Sequence, residues 1–380
     1  MSSVNSKNLL GINGAGRIGK LTLWHHLHRG YFDGLVVNLG RNVGVGFEDV
    51  VHNLATDSTY GPVEKFLYGL GGRREISIVD SEQGLIDMFG TPVKILQKAR
   101  NPRDIEWRRE GVQLVVDTTG VFKDPTVPAD DSKGSIRGHL EAGAKVVINS
   151  APFKIKDKAL AEPEDTTMLI YGINHTEYQP GKHRVVSAAS CTTTGLAHMI
   201  KPLLETQETS KILTASMSTI HAATNTQSVL DSVATAKATD LRKNRSIINN
   251  IILSTTGAAK ALENVLPEIK RVGFMADSVR IPTNTVSLVI LNVTFHTPMN
   301  EKGEPVITRP FINGIYKRAS EGSQKGQLVY TERQNVSSDL IGVHASVVLE
   351  ANDTHTRTGF VEIPPDIMVD QGIDTDRPLR

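Results

Sequence analysis

A single cysteine, Cys191, in 380 residues leaves no internal disulfide framework and no cysteine-rich metal centre. No metal site is expected. A lone cysteine is ordinarily a small buried hydrophobe, so Cys191 has to be judged by its neighbours. Apolar runs are short, none approaching the roughly 20 residues that span a bilayer. Met1 to Asn8 also lack the basic start and apolar core of a secretory signal. Together these predict a cytoplasmic protein with no membrane partner. A net charge of +1 gives no electrostatic reason to expect nucleic acid, whose phosphates call for a clustered basic surface. Internal repeats and low-complexity tracts are missing too.

What is present is a chain longer than one hydrophobic core usually serves, which favours two domains. Hydrophobic content of 39%, charged content of 22% and 32 glycines are ordinary for an α/β protein. The first half alternates short β-branched runs with helix-like stretches, the pattern of parallel βαβ units. Leu9 to Asn13 reads as a strand, Ile18 to Arg29 as a helix and Leu35 to Asn38 as the next strand; Leu114 to Asp117 and Lys145 to Asn149 repeat the theme. From Lys211 the segments lengthen, and Leu213 to Ile220, Thr285 to His296 and His344 to Leu349 suit a largely antiparallel sheet. The expected division is residues 1–190, residues 191–354 and an atypical tail over 355–380.

The segment Gly14-Ala15-Gly16-Arg17-Ile18-Gly19 is a G-x-G-x-x-G motif placed directly after a strand and at the opening of a helix. Glycines there let the backbone turn tightly and approach a pyrophosphate, whose charge meets free N–H groups and the positive end of the helix dipole. Three glycines alone are weak evidence, since a structural turn can use the same spacing; the flanking strand and helix favour a dinucleotide. The fold predicted is α/β, a Rossmann-type doubly wound parallel sheet followed by an α+β domain with a mostly antiparallel sheet. In NAD-preferring sheets of this kind the second strand ends in a carboxylate that binds the ribose hydroxyls. Here it ends Asn38-Leu39-Gly40-Arg41. Arg41 either meets a 2′-phosphate or is a solvated loop residue, so both NAD and NADP stay open. Glu48 and Asp49, in the loop that follows, are the first candidates for a substitute carboxylate.

Ser190-Cys191-Thr192-Thr193-Thr194 precedes a helix-like stretch from Gly195 to Thr206, which puts Cys191 at a helix N-terminus where the dipole favours thiolate. His221 lies at the end of a strand-like run. Alone, a histidine there is more often structural than catalytic.

At these residues the chain resembles the glyceraldehyde-3-phosphate dehydrogenase family, over roughly Leu9 to Leu349. The ordered matches include the glycine motif, Asp57-Ser58-Thr59-Tyr60-Gly61, Thr119-Gly120-Val121-Phe122, Ser150-Ala151-Pro152 and Tyr171-Gly172-Ile173-Asn174-His175. They continue through Ser190-Cys191-Thr192-Thr193, His221, Thr256-Gly257-Ala258-Ala259-Lys260, Arg280-Ile281-Pro282-Thr283 and Ser337-Ser338-Asp339. The resemblance implies a cysteine thiolate, Cys191, that attacks an aldehyde, and a base, His221, that holds the thiolate and then takes the hydroxyl proton. It implies Thr224, Thr226 and Arg280 at the phosphate of the phosphorylated aldehyde, and Ser190, Thr192, Thr256 and Gly257 at inorganic phosphate. Gly14, Gly16, Arg17, Ile18, Gly19, Asn38, Leu39, Arg41, Thr119, Gly120 and Ser150 are the implied cofactor contacts, in a homotetramer. Any one of these threonines, taken singly, reads as a strand or cap residue.

The chain departs from the family at Ala188 and Thr194, where asparagine is usual, and in the loop after Asn38, which is longer and lacks the common acid. After Thr354 the family continues into a Trp-Tyr-Asp-Asn-Glu-Trp-Gly-Tyr segment whose asparagine bonds the nicotinamide amide. Here Arg357 to Pro365 and a polar run to Arg380 stand instead. The expectations are that the sequence stops short, that the nicotinamide is oriented differently, or that the chain is an impaired, cofactor-binding homologue. An erythrose 4-phosphate dehydrogenase is the alternative within the same chemistry.

Overall fold

A computed structural model describes residues 8–359. Residues up to Thr194 with Lys260–Val265 form one compact unit, and Gly195–Ala259 with the chain from Leu266 onward form the other.

In the first unit, the short apolar runs at the centre of the sheet become almost fully buried strands, because both faces of the sheet are covered there. β1 (Leu9–Asn13) and β2 (Gly34–Asn38) are joined by the helix α1 (Arg17–Arg29), and α2 (Phe47–Ala55) follows. Gly30 ends α1 in the left-handed conformation, φ 60°, and its N–H closes on the His26 carbonyl. The remaining strands are β3 (Ile76–Asp80), β4 (Leu85–Met88), β5 (Thr91–Leu96), β6 (Leu114–Asp117), β7 (Val146–Asn149), β8 (Thr166–Met168) and β9 (Val185–Ser187). Among the described residues they order as β8-β9-β7-β6-β1-β2-β5-β4-β3. All neighbours are parallel except the β3–β4–β5 edge, which is antiparallel. The chain leaves β1 for β2 on one side and returns to β6 on the other. The crevice at the ends of β1 and β6 is therefore the switch point of the sheet, where ligands of such folds bind.

Leu10 and Ile12 of β1 pack with Leu23, Trp24 and Leu54 of the two helices. Trp24 anchors that layer by donating from Nε1 to the Leu54 carbonyl at 2.8 Å. A second core of Trp107, Val115, Ile136, Val147 and Val185 gathers separately.

The second unit carries a mixed sheet of β10 (Ile212–Ala222), β11 (Ile252–Ser254), β12 (Gly273–Ile281) and β13 (Leu288–Phe295), ordered β11-β12-β10-β13. The β10–β13 and β11–β12 pairings are antiparallel as expected, but the central β10–β12 pairing is parallel. The segment His344 to Leu349 does not join this sheet. Its strand β15 (Val347–Glu350) pairs in parallel with β14 (Leu328–Thr331) as a separate ribbon. Its alternation showed a half-buried strand but held no information about the partner. The helix expected from Gly195 begins four residues earlier, as α3 (Cys191–Leu204). Two further helices are α4 (Ala258–Val265) and α5 (Arg309–Glu321). Of the expected tail, 355–359 is irregular and exposed, and the rest lies outside the described residues. None of the helices among the described residues is long and apolar enough to cross a membrane.

Candidate active site

The glycine motif forms a tight link between β1 and α1. Gly14 takes φ +98°, a conformation that L side chains rarely adopt, and its N–H donates to the Asn38 carbonyl at 2.9 Å. A Cβ on Gly19 would collide with the Gly14 carbonyl, so this glycine lets the helix approach the strand. Gly16 is the N-cap of α1. It offers no side-chain cap, no acid stands in the first turn, and a Cβ there would meet nothing within 4 Å. The helix start is thus open, cationic in character and unobstructed, which fits a pyrophosphate. Arg17 reaches sideways, donating to Thr59 Oγ1 at 2.9 Å with Asp57 at 3.9 Å; Ile18 is exposed.

Asn38 ends β2 and Leu39 follows it, Thr119 and Gly120 follow β6, and Ser150 follows β7, so these expected cofactor contacts gather along one edge of the sheet. Ser150 N–H donates to the Asp117 carbonyl at 2.9 Å. Beneath that edge runs a buried polar chain that the sequence reading did not anticipate. Asn38 Nδ2 donates to Asn13 Oδ1, and Asn13 Nδ2 to Asp117 Oδ2, both at 2.8 Å. His139 Nε2 meets the same Asp117 oxygen at 3.0 Å, and Trp107 Nε1 donates to His139 Nδ1 at 2.9 Å. An indole N–H only donates, so His139 Nδ1 must accept and its proton sits on Nε2, facing the carboxylate. Burial pushes the Asp117 carboxyl up. Hydrogen bonds from His139, Thr119 and Asn13 outweigh that and hold it below the ordinary range. Asp117 Oδ1 in turn accepts from Thr119 N and Oγ1, at 3.0 and 2.7 Å.

A cleft of about 260 Å³ opens between the start of α1 and the loop after β2. Lys20 lines it and donates from Nζ to the Thr56 carbonyl at 2.8 Å. Burial lowers the Lys20 ammonium, against the opposing pull of Asp57. Asp49, one of the candidate ribose carboxylates, is instead turned on its own backbone. Its Oδ2 accepts from Val45 N at 2.7 Å and Gly46 N at 3.2 Å, which holds the carboxyl below its usual value.

Cys191 is exposed at the first position of the 14-residue helix α3. Ser190 is the N-cap. Its carbonyl accepts from Thr194 N at 2.8 Å, its Oγ accepts from Thr193 N at 3.1 Å, and the Ser190 and Thr193 hydroxyls are 2.7 Å apart. Ala189, just before, takes φ +59°, strained for a residue with a Cβ, and is buried. The sequence carried no sign of that kink. Thr192 is itself buried, and the Ser190 hydroxyl is committed to the cap.

In the second unit His221 and Arg280 are register partners across the parallel pairing of β10 and β12. Arg280 Nη1 lies 2.6 Å from His221 Nδ1 and 2.8 Å from the Ala222 carbonyl. A guanidinium is always a donor, so Nδ1 accepts here and the ring proton sits on Nε2. The 3.1 Å approach of Nδ1 to the Ala222 carbonyl is then not a hydrogen bond in this tautomer. Burial and the Arg280 charge both hold the His221 imidazole below its ordinary value. Thr224 and Thr226, in the exposed turn that follows, place their hydroxyls 2.9 Å apart. Thr256 Oγ1 accepts from Ala258 N at 3.2 Å, capping α4, and a Cβ on Gly257 would enter open space.

Residues 9–125 match the family model described as glyceraldehyde 3-phosphate dehydrogenase, NAD binding domain, and residues 190–364 match its C-terminal domain. Glyceraldehyde-3-phosphate dehydrogenase 2 of Streptomyces avermitilis is 35% identical over 92% of this chain and 90% of its own length. The Lyophyllum shimeji glyceraldehyde-3-phosphate dehydrogenase is 36% identical over 90% of this chain and 87% of its own. The corresponding Bacillus subtilis protein, glyceraldehyde-3-phosphate dehydrogenase 1, is 34% identical over 92% and 90%. The matches span both units, and the chain belongs to the glyceraldehyde-3-phosphate dehydrogenase family, a family of oxidoreductases that use a nicotinamide dinucleotide.

Proposed function

We propose that the chain oxidises glyceraldehyde 3-phosphate to 1,3-bisphosphoglycerate with inorganic phosphate and NAD or NADP, through a thioester on Cys191. The observation that carries this reading is an exposed thiol at the first position of a capped helix, held there by a strained turn. The positive end of the helix dipole lies at that position. In this reading residues 1–190 hold the cofactor, residues 191–354 carry the chemistry and 355–380 are an appended tail.

The thiolate attacks the aldehyde carbon, and the oxyanion formed takes a proton from solvent to give a hemithioacetal. His221 first presents Nε2–H, the form its pairing with Arg280 enforces, which suits a thiolate or an oxyanion. Taking the hemithioacetal proton at Nε2 requires the ring proton to sit on Nδ1, where it donates to the Ala222 carbonyl, and requires Arg280 to leave Nδ1. A substrate phosphate on Arg280, with the Thr224 and Thr226 hydroxyls, draws the guanidinium away and so turns His221 into a base. The bound nicotinamide supplies the hydride acceptor. Inorganic phosphate, for which the family resemblance implies Ser190, Thr192, Thr256 and Gly257, attacks the thioester; the acyl phosphate leaves and the thiolate returns.

The second unit also leaves Leu253, Met275, Leu288 and Ile290 of its mixed sheet exposed, an apolar face that supports association into a homotetramer. The reaction is tested by formation of reduced cofactor from glyceraldehyde 3-phosphate with phosphate present and withheld. Phosphate-dependent turnover is expected. Turnover only with erythrose 4-phosphate would replace the substrate, and dinucleotide binding without turnover would make the chain an impaired homologue.

A further inference from the structure

We propose that the cleft beside the glycine motif is a subsite for the 2′-phosphate of NADP, formed by Arg41, Lys20 and Asn53, and that the chain prefers NADP to NAD. The proposal rests on the reading of the glycine motif as the pyrophosphate site. The cleft lies between Gly16 and Arg17 at the start of α1 and Leu39 and Arg41 after β2, with Lys20 and Asn53 on its walls. That is the side of a doubly wound sheet on which the adenosine ribose lies, since the pyrophosphate sits on the helix start and the ribose at the end of the second strand.

The walls are one-sided in charge. Arg17, Lys20 and Arg41 line the cleft and no carboxylate does. Asp57 sits behind Arg17 and offsets part of that charge. Leu39 stands where a ribose-binding acid would end the second strand, and its apolar side chain packs into the core. The acids of the following loop do not replace it. Asp49 is folded onto Val45 N and Gly46 N, and Gly44 at φ +67° brings the backbone so close that any Cβ there would strike the Asp49 side chain. Glu48 stands beside it in the first turn of α2. The loop is pinned at its near end as well, where Arg100 Nε donates to the Gly40 carbonyl at 3.2 Å and Asn38 Oδ1 accepts from Gly40 N at 3.3 Å. Arg41 is therefore an exposed guanidinium on an anchored loop, without a partner among the described residues.

The physical consequence follows from what each cofactor presents. A ribose 2′-hydroxyl gains most from a carboxylate that accepts its proton, and the same carboxylate repels a 2′-phosphate. This cleft has neither the attraction for the first nor the repulsion of the second. A doubly charged phosphate gains charge-assisted hydrogen bonds from the guanidinium and the ammonium. Asn53 is a neutral donor that serves either group.

The test is titration of the full chain with NADP, NAD, 2′,5′-ADP and 5′-AMP, followed by calorimetry at one fixed salt concentration. NADP is expected to bind about five- to a hundredfold more tightly than NAD, and 2′,5′-ADP to exceed 5′-AMP by a similar factor. Arg41→Ala should remove most of that advantage, and Lys20→Gln part of it, while the affinity for NAD falls by less than about threefold. Arg41 is exposed, so the variant folds as the parent does. NAD binding more tightly than NADP, or an Arg41→Ala variant with an unchanged NADP-to-NAD ratio, overturns the subsite and leaves the pyrophosphate site standing. Failure to bind either dinucleotide overturns both.

Discussion

Arg280 Nη1 stands 2.6 Å from His221 Nδ1, and the pairing decides both the charge and the tautomer of the imidazole. Burial is the larger reason that His221 protonates below its ordinary value, and the Arg280 charge adds to it. The acid limb of kcat/KM, which reports the free enzyme, should therefore fall below the usual histidine value of about 6.5. Arg280→Met leaves burial but removes the charge, so the limb should move up in pH; Arg280→Lys should keep it low. The same variant should raise KM for the phosphorylated aldehyde far more than for unphosphorylated glyceraldehyde. An acid limb at the same pH in wild type and Arg280→Met would separate Arg280 from the base.

Cys191→Ser exchanges the thiol for a far weaker nucleophile in the same capped position. Dehydrogenase activity should vanish while dinucleotide titrations stay close to wild type, because the glycine motif and the sheet edge are untouched. Activity within tenfold of wild type would rule out the covalent step.

Ser190 holds the start of α3 by accepting from Thr193 N at 3.1 Å. Ser190→Ala should lower stability by about 1 kcal/mol, the usual cost of a lost N-cap, and Ser190→Asp should recover much of it. Urea denaturation gives the difference. The alkylation rate of Cys191 should fall in Ser190→Ala, since a frayed first turn aims fewer N–H groups at the thiolate. An unchanged midpoint and alkylation rate would show that the cap is not what sets the cysteine.

Much of this was legible because it is local. β1, α1 and β2 show themselves through a change of hydrophobic period within 30 residues, whereas α3 was expected from Gly195 and begins at Cys191. What was hidden depends on partners distant in sequence. β15 reads as a strand in isolation, but nothing local names β14 as its neighbour. Asn53 enters the cleft only because α2 packs with α1 in one core, and nothing local in the sequence marks Lys20 as part of it. Asp117 carried a faint signal, an acid closing a buried apolar strand, whereas His139 carried none.

Asp117 and His139 are both fully buried, so their pairing bears on stability and on acid sensitivity together. Asp117 titrates below its ordinary value, so it contributes stability above the unfolded carboxyl value of about 3.9, and that stability is lost as pH falls through the folded value. His139→Phe keeps a ring against Trp107 but leaves the carboxylate with Asn13 alone on Oδ2. A buried charge short of a partner costs about 3 kcal/mol, and the acid midpoint of unfolding should rise toward the ordinary carboxyl range. Function should follow through the same atoms. Asp117 Oδ1 holds Thr119 N and Oγ1, and Asn13 holds Asn38, which in turn holds Gly40 N. Loosening that chain should raise KM for the dinucleotide more than it lowers kcat, because it runs under the cofactor edge and not under Cys191. Asp117→Asn, whose Nδ2 would face the donors of Asn13 and His139, should also raise the dinucleotide KM while flattening the acid dependence. If His139→Phe left the denaturation midpoint, the acid midpoint and the dinucleotide KM all at wild-type values, the buried chain would be mere packing.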